Sequence, residues 1–221
     1  MSSTKTLVYL ERSPKKTFAG ALDWPGWCRA GKDADLALGA LADYASRYAR
    51  VAAEAGESFH PRPVSEFDVV EDVEGDATTA FGAPGIVVEA DRRPLSGKDA
   101  ERLARLVASG WVVFEDVVAG APPTLRKGPR GGGRDRRKIV EHVIGAEVSY
   151  ASVIGIKHRQ SDPGDRAAID ALRAAMLDLL SKPSDGTPLA GRRWPARYAA
   201  RRIAWHVLDH AWEIEDRTEP A

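Results

Sequence analysis

The sequence predicts an α+β module with the order β-β-β-α-β over about residues 1–75, followed by an all-α, up-down four-helix bundle over about residues 95–221. Three observations lead there. Short Thr-, Val- and aromatic-rich segments cut by Pro and Gly fill the first 75 residues. Residues 76–94 are turn-rich and read as a connector. Beyond them come four stretches of roughly 15–22 residues, each with a start signal and an apolar seam at helical spacing.

Residues 4–10 (TKTLVYL) and 17–22 (TFAGAL) read as a β-hairpin joined by a turn of several residues around Ser13-Pro14. Asp23-Trp24-Pro25-Gly26 is a turn signal, and residues 27–30 supply a brief third strand before Gly31. From residue 33 to 54 apolar residues recur at helical spacing (Leu36, Leu38, Leu41, Tyr44, Tyr48, Val51), with Gly56 as the stop. Residues 67–73 alternate as a fourth strand. In the connector, Ile86-Val87-Val88 is a candidate added strand.

In the bundle, Ser96 and Asp99 form a capping-box signal, and Leu103, Leu106, Gly110, Val113 and Val117 make the first seam. The second helix spans 135–154, with Ile139, His142, Val143, Ala146, Tyr150 and Val153 on one face. Asp162-Pro163 opens the third, carrying Ile169, Leu172, Met176 and Leu179. Trp194-Pro195 opens the fourth, whose inward stripe is Ala199, Ile203, His206, Val207, His210 and Ile214. Residues 128–134 are glycine-rich and read as a mobile loop. There is no internal repeat.

Charge and cysteine content narrow the function. Lys+Arg and Asp+Glu are both 32, so the chain lacks the net positive field of a general nucleic-acid binder. The best membrane candidate, residues 111–120, is short of the roughly 18–20 apolar residues a span needs and contains Glu115 and Asp116. The start, MSSTKTLVYLERS, has no signal-peptide pattern. Cys28 is the only cysteine. The expectation is a soluble cytoplasmic protein acting on a small molecule, with neither nucleic acid nor membrane as partner. Any metal site must come from its histidines and carboxylates.

Three of the five histidines fall on inward faces. His206 and His210 are one helical turn apart, and His142 lies on the seam of the second helix. Three neutral imidazoles from two facing helices suit a divalent metal and leave a coordination position open. The other reading is half-buried histidines bonded to Glu147, Asp209 or Glu213. Glu213 itself is either an acceptor or base behind the site or a surface partner of Arg217.

RRIAWHVLDHAWEIEDR (201–217), with RRKIVEHVIGAEVSYA (136–151), resembles the DinB-like superfamily of metal-binding four-helix bundles over residues 95–217. The resemblance implies His142, His206 and His210 as metal ligands. It implies zinc before nickel, iron or manganese, and a low-molecular-weight thiol as co-reactant. The activity implied is a thiol S-transferase, isomerase or hydrolase acting on a small electrophile. ALDWPGWCRAGKDADLALGALADYASRYA (21–49) is similar to the HicB-type antitoxin domain, through Trp24-Pro25-Gly26, Gly31-Lys32-Asp33 and residues 36–41. No DNA-reading segment follows it, so this module reads as a packing unit or, alternatively, as a dimerising unit that would make the chain a homodimer. The rival to the enzyme is a non-catalytic regulatory protein that uses this module for partner contact.

Other features read as structural. The basic residues 126–138 suit a solvated loop. Arg192, Arg193, Arg197, Arg201 and Arg202 crowd a helix start, where the dipole disfavours cations. The acidic run at 66–76, an anionic ligand or solvation must offset them. Cys28 reads as a small buried residue, and His60 and His158 as loop residues without a role. Trp205 and Trp212 share a face that packs against the N-terminal unit.

Overall fold

A computed structural model describes residues 5–128, 132–158, 162 and 164–218. Residues 129–131 of the glycine-rich stretch and Pro163 of the third-helix start lie outside these. The architecture is α+β: a four-stranded sheet in the N-terminal third and, among the described residues, seven α-helices.

The sheet has the order β3-β2-β1-β4, built from β1 (Thr6–Ser13), β2 (Lys16–Ala21), β3 (Cys28–Gly31) and β4 (Phe67–Glu74). β1, β2 and β3 run antiparallel in turn, and β4 lies parallel to β1. Ser13 pairs with Lys16, so the hairpin closes over two residues, tighter than the sequence suggested. A parallel neighbour needs a crossover. Here it is α1 (Ala34–Asp43) and α2 (Ala45–Glu54), not the single helix expected over 33–54, and the module's order becomes β-β-β-α-α-β.

The break falls at Tyr44 (φ −86°, ψ 1°). The buried Trp27 Nε1 donates to the Leu41 carbonyl at 2.8 Å, occupying the acceptor that a continuous helix would present to the Ala45 N–H. At the start of α1, Gly31 lies directly against the Leu36–Ala37 backbone. Ala37 therefore turns inward, and Leu36, expected on the seam, is exposed.

The middle of β1 is buried on both faces. Val8 and Leu10 join Leu41, Tyr48 and Val51, while Tyr9 joins Leu22, Val88 and Ala90. Val88 and Ala90 come from residues 76–94, which hold α3 (Ala77–Phe81) and a 3-10 turn at Glu89–Arg92. This segment is pinned by Glu11, a fully buried carboxylate that accepts from the Thr79 hydroxyl and from the Gly85 and Ile86 N–H groups. With the Ile86 N–H held by a side chain, residues 86–88 form no added strand. β4 is the sheet's edge, and Asp68, Glu71, Asp72 and Glu74 on it discourage further strand pairing.

Four long helices follow: α4 (Gly97–Gly120), α5 (Arg136–Val153), α6 (Arg166–Leu180) and α7 (Ala196–Thr218). The Ser96 hydroxyl caps α4 through the Asp99 N–H. Asp165 caps α6 through the Ala168 N–H, so this helix opens later than Asp162-Pro163 implied. α7 opens behind Pro195, whose carbonyl accepts from Ala199. α4 packs on α7 and α6, and α5 on α7 and α6. None of the described helices is long and apolar enough to cross a membrane.

α7 also meets the sheet module. Trp205 packs edge-on to Phe18 at 6.0 Å, and Trp212 to Tyr44 at 5.2 Å. At Gly26 (φ +91°) a Cβ would lie 2.6 Å from Leu208, so this turn demands glycine by both conformation and space. The arginines at the start of α7 are not answered by the acidic run at 66–76. Arg201, buried, forks onto the equally buried Asp91 at 2.9 and 2.5 Å.

Breaking this pair should cost far more than breaking a surface pair. Asp91→Ala strands a buried guanidinium and is expected to cost about 3–5 kcal/mol in chemical denaturation. Asp72→Ala, which breaks a half-exposed pair with Arg12, should cost less than about 1 kcal/mol. Equal losses would show that burial of the first pair has no energetic consequence.

Candidate metal centre

His142 comes from α5, and His206 and His210 from α7, 64 residues further along for the first of them. The apolar stripes of the two helices set their facing surfaces, and the imidazoles sit within those stripes. The ring centroids form a triangle with sides of 5.0, 4.8 and 4.8 Å. One ring nitrogen from each residue lies within 4.8 Å of the other two. His206 Nε2 and His142 Nε2 are 3.2 Å apart. His206 and His210 are buried, and His142 is half-buried.

The environment sets their protonation. His210 Nδ1–H donates to Glu213 Oε2 at 2.8 Å, and Arg217 holds Glu213 Oε1 at 2.7 Å. A carboxylate there selects the Nδ1–H tautomer and leaves the Nε2 lone pair of His210 free. The His210 hydrogen bond, with help from Arg217, holds the Glu213 carboxyl below its usual range despite partial burial. Burial pushes the His206 imidazole down to about 2, with the neighbouring His210, Arg202 and His142 acting in the same direction. His142 is lowered too, by burial and then by His210. Two facing imidazoles that stay neutral at ordinary pH are ready nitrogen donors.

The donor set suits a borderline cation such as zinc. Two imidazole nitrogens at about 2.0–2.1 Å from one ion are at most about 4.2 Å apart. The 3.2 Å pair already meets that limit, and the 4.8 Å bound on the set lies just outside it.

The carboxylates considered from the sequence divide. Glu147 is taken by the buried Arg173 at 3.0 Å and Asp209 by Arg29 at 2.9 Å. Glu213 alone meets a histidine, and it pairs with Arg217 as well. Burial raises the Cys28 thiol to about 12, so it is no nucleophile near neutral pH. Its Sγ lies 3.9 Å from the Tyr9 hydroxyl. His60 lines a cleft of about 480 Å³ with Trp24, Phe59 and Arg102, and none of the three clustered histidines lines it.

Two neighbours gain a place at the site that the sequence had not marked. The Tyr150 ring stands perpendicular to His206 at 5.5 Å. Arg202 lies one turn before His206 and stacks on Tyr150 and Trp205. The spacing 202, 206, 210 was the available signal for Arg202. Compared with protein-family models, curated proteins and solved structures, the chain has no match.

The neutral imidazoles carry a pH dependence. Unfolded histidines take up protons near pH 6.5, whereas His206 and His142 resist doing so in the fold. The unfolded state therefore binds more protons below that pH. Stability of the metal-free protein is full above about pH 7 and falls as pH drops through about 6.5, by up to about 1.4 kcal/mol per pH unit for a fully buried histidine. The urea midpoint of metal-free protein should fall between about pH 7.5 and 5.5, and fall less in His206→Gln. A flat profile common to both proteins would sink this account.

Proposed function

We propose that α4–α7 form an up-down four-helix bundle of the DinB-like type and that the chain is a metal-dependent enzyme acting on a small electrophile. The reaction class is thiol S-transfer or isomerisation with a low-molecular-weight thiol. The carrying observation is the convergence of His142, His206 and His210 from two helices on one point. Zinc is the ion best suited to three neutral imidazoles. When bound, a divalent cation supplies positive charge that lowers the pKa of a water or thiol in its open position.

The chain's own residues have separable tasks in this reading. Glu213 holds the Nδ1 proton of His210 and so turns its Nε2 toward His142 and His206. Arg217 holds Glu213 in turn. Tyr150, against His206, walls the site with an aromatic face. The HicB-like module serves as a packing unit, bearing on α7 through Phe18, Gly26 and Tyr44. The partner is a small molecule rather than a nucleic acid.

Metal analysis tests this first. Protein purified without chelator should hold one divalent ion per chain. His206→Ala and His210→Ala should lose it while keeping their helical circular dichroism, and His60→Ala should retain it. A wild-type protein that stays metal-free even after supplementation would overturn the enzyme and leave a non-catalytic binding protein. With metal established, thiol transfer to a generic electrophile such as chlorodinitrobenzene should be measurable and should vanish in the two metal-site variants.

A further inference from the structure

Four arginines on the long helices are held against aromatic rings, and their partners differ. Arg102 stacks on Trp24 and pairs with Glu57. Arg201 stacks on Tyr9 and forks onto Asp91. Arg173 stacks on Trp111 and pairs with Glu147 and Glu115. Arg202 has the rings without the carboxylate. Its guanidinium carbon lies 4.6 Å from the Trp205 ring centre and 5.3 Å from that of Tyr150.

Arg202 Nη1 is shut off from solvent with no hydrogen-bond partner, and Trp205 Nε1, on the ring that Arg202 covers, is in the same state. Among the described residues no carboxylate forms a salt bridge with Arg202. A guanidinium offers five donors and tolerates poorly the loss of water without replacement. Stacking on aromatic faces offsets only part of that cost. A void of about 10 Å³ lined by Arg202 and Trp205 among others has room for one water at most. Arg202 as a whole is only half-buried, so a ligand can still meet its guanidinium.

Arg202 sits one turn from His206, and both touch the Tyr150 ring. The positive charges of Arg202 and of the exposed Arg134 both bear on His206. Glu213, the carboxylate bonded to the cluster, is already engaged by His210 and Arg217. The rim of the histidine site is thus cationic, with a planar fork lacking its acceptor. We propose that Arg202 is the anion-recognising residue of this site: the small molecule held there carries a carboxylate that docks on the Arg202 guanidinium, with its reacting end toward His142, His206 and His210. The fork geometry suits a carboxylate bidentately. The proposal rests on reading the three histidines as the ligand-holding centre.

The test is calorimetric titration of metal-supplemented protein with two matched pairs, benzoate against benzamide and 3-mercaptopropionate against its amide. Metal content is measured on the same samples. Wild type should prefer the carboxylate of at least one pair by about ten-fold or more, and Arg202→Met should lose that preference with its metal content unchanged. Preference confined to the thiol pair assigns the carboxylate to the thiol; preference for benzoate assigns it to the thiol-free reactant. Arg202→Gln replaces Arg202→Met if the latter does not fold. No preference in wild type, or a preference surviving in the variant, overturns the proposal. A carboxylate preference in protein that takes up no metal would instead overturn the metal reading and leave Arg202's role standing.

Discussion

Helix α7 has to be covered on every side, and the rest of the molecule is arranged around that constraint. Fifteen of its 23 residues are buried. A helix with so many of its residues buried must be enclosed by other structure. α4 covers it where Gly110 faces the side chains of Val207 and Leu208. The sheet module covers it through Phe18, Gly26 and Tyr44, and α5 covers the face carrying His206 and His210. One hydrophobic cluster accordingly runs from Val8 and Leu41 through Leu103 and Val107 to Ala204 and Leu208. The histidine site is a consequence of this arrangement, because it lies where α5 closes over α7.

Buried charge is handled in two ways. Glu11 is satisfied by a hydroxyl and two backbone N–H groups, and Arg201 and Arg173 by carboxylates in fork geometry. These pairs tie distant segments: Glu11 holds the connector to β1, and Asp91 holds the connector to α7. A carboxylate and a guanidinium stripped of water are costly alone, so each acts as a specific latch between particular residues. Arg202, half-buried beside the histidines, has no carboxylate partner among the described residues.

Much of the helical half was legible. The four stripes that include Val113, Val143, Met176 and Ile214 have the period of helices, and their start signals at Ser96 and Pro195 are local. The three histidines lie on those stripes, so their facing inward followed from periodicity alone. Less was legible where one segment's hydrogen bonds end on another. The α1–α2 break depends on Trp27 reaching the Leu41 carbonyl, and the unpaired state of residues 86–88 depends on Glu11 reaching Ile86. Neither partner is near in sequence, and propensity at the affected site contains no trace of it.

By itself the sequence determined the period and start signals of the long helices, the lack of a second cysteine, and which face of α5 and α7 carries the imidazoles. These are matters of period, capping and residue type, all properties of a few neighbouring residues. Only the tertiary structure decided that Glu213, and not Glu147 or Asp209, bonds His210, that Asp91 answers Arg201, and that Arg202 has no counter-ion among the described residues. Each of those outcomes is a choice among several carboxylates of equal chemistry. Distance and burial make that choice, and both exist only once the helices and the sheet have packed.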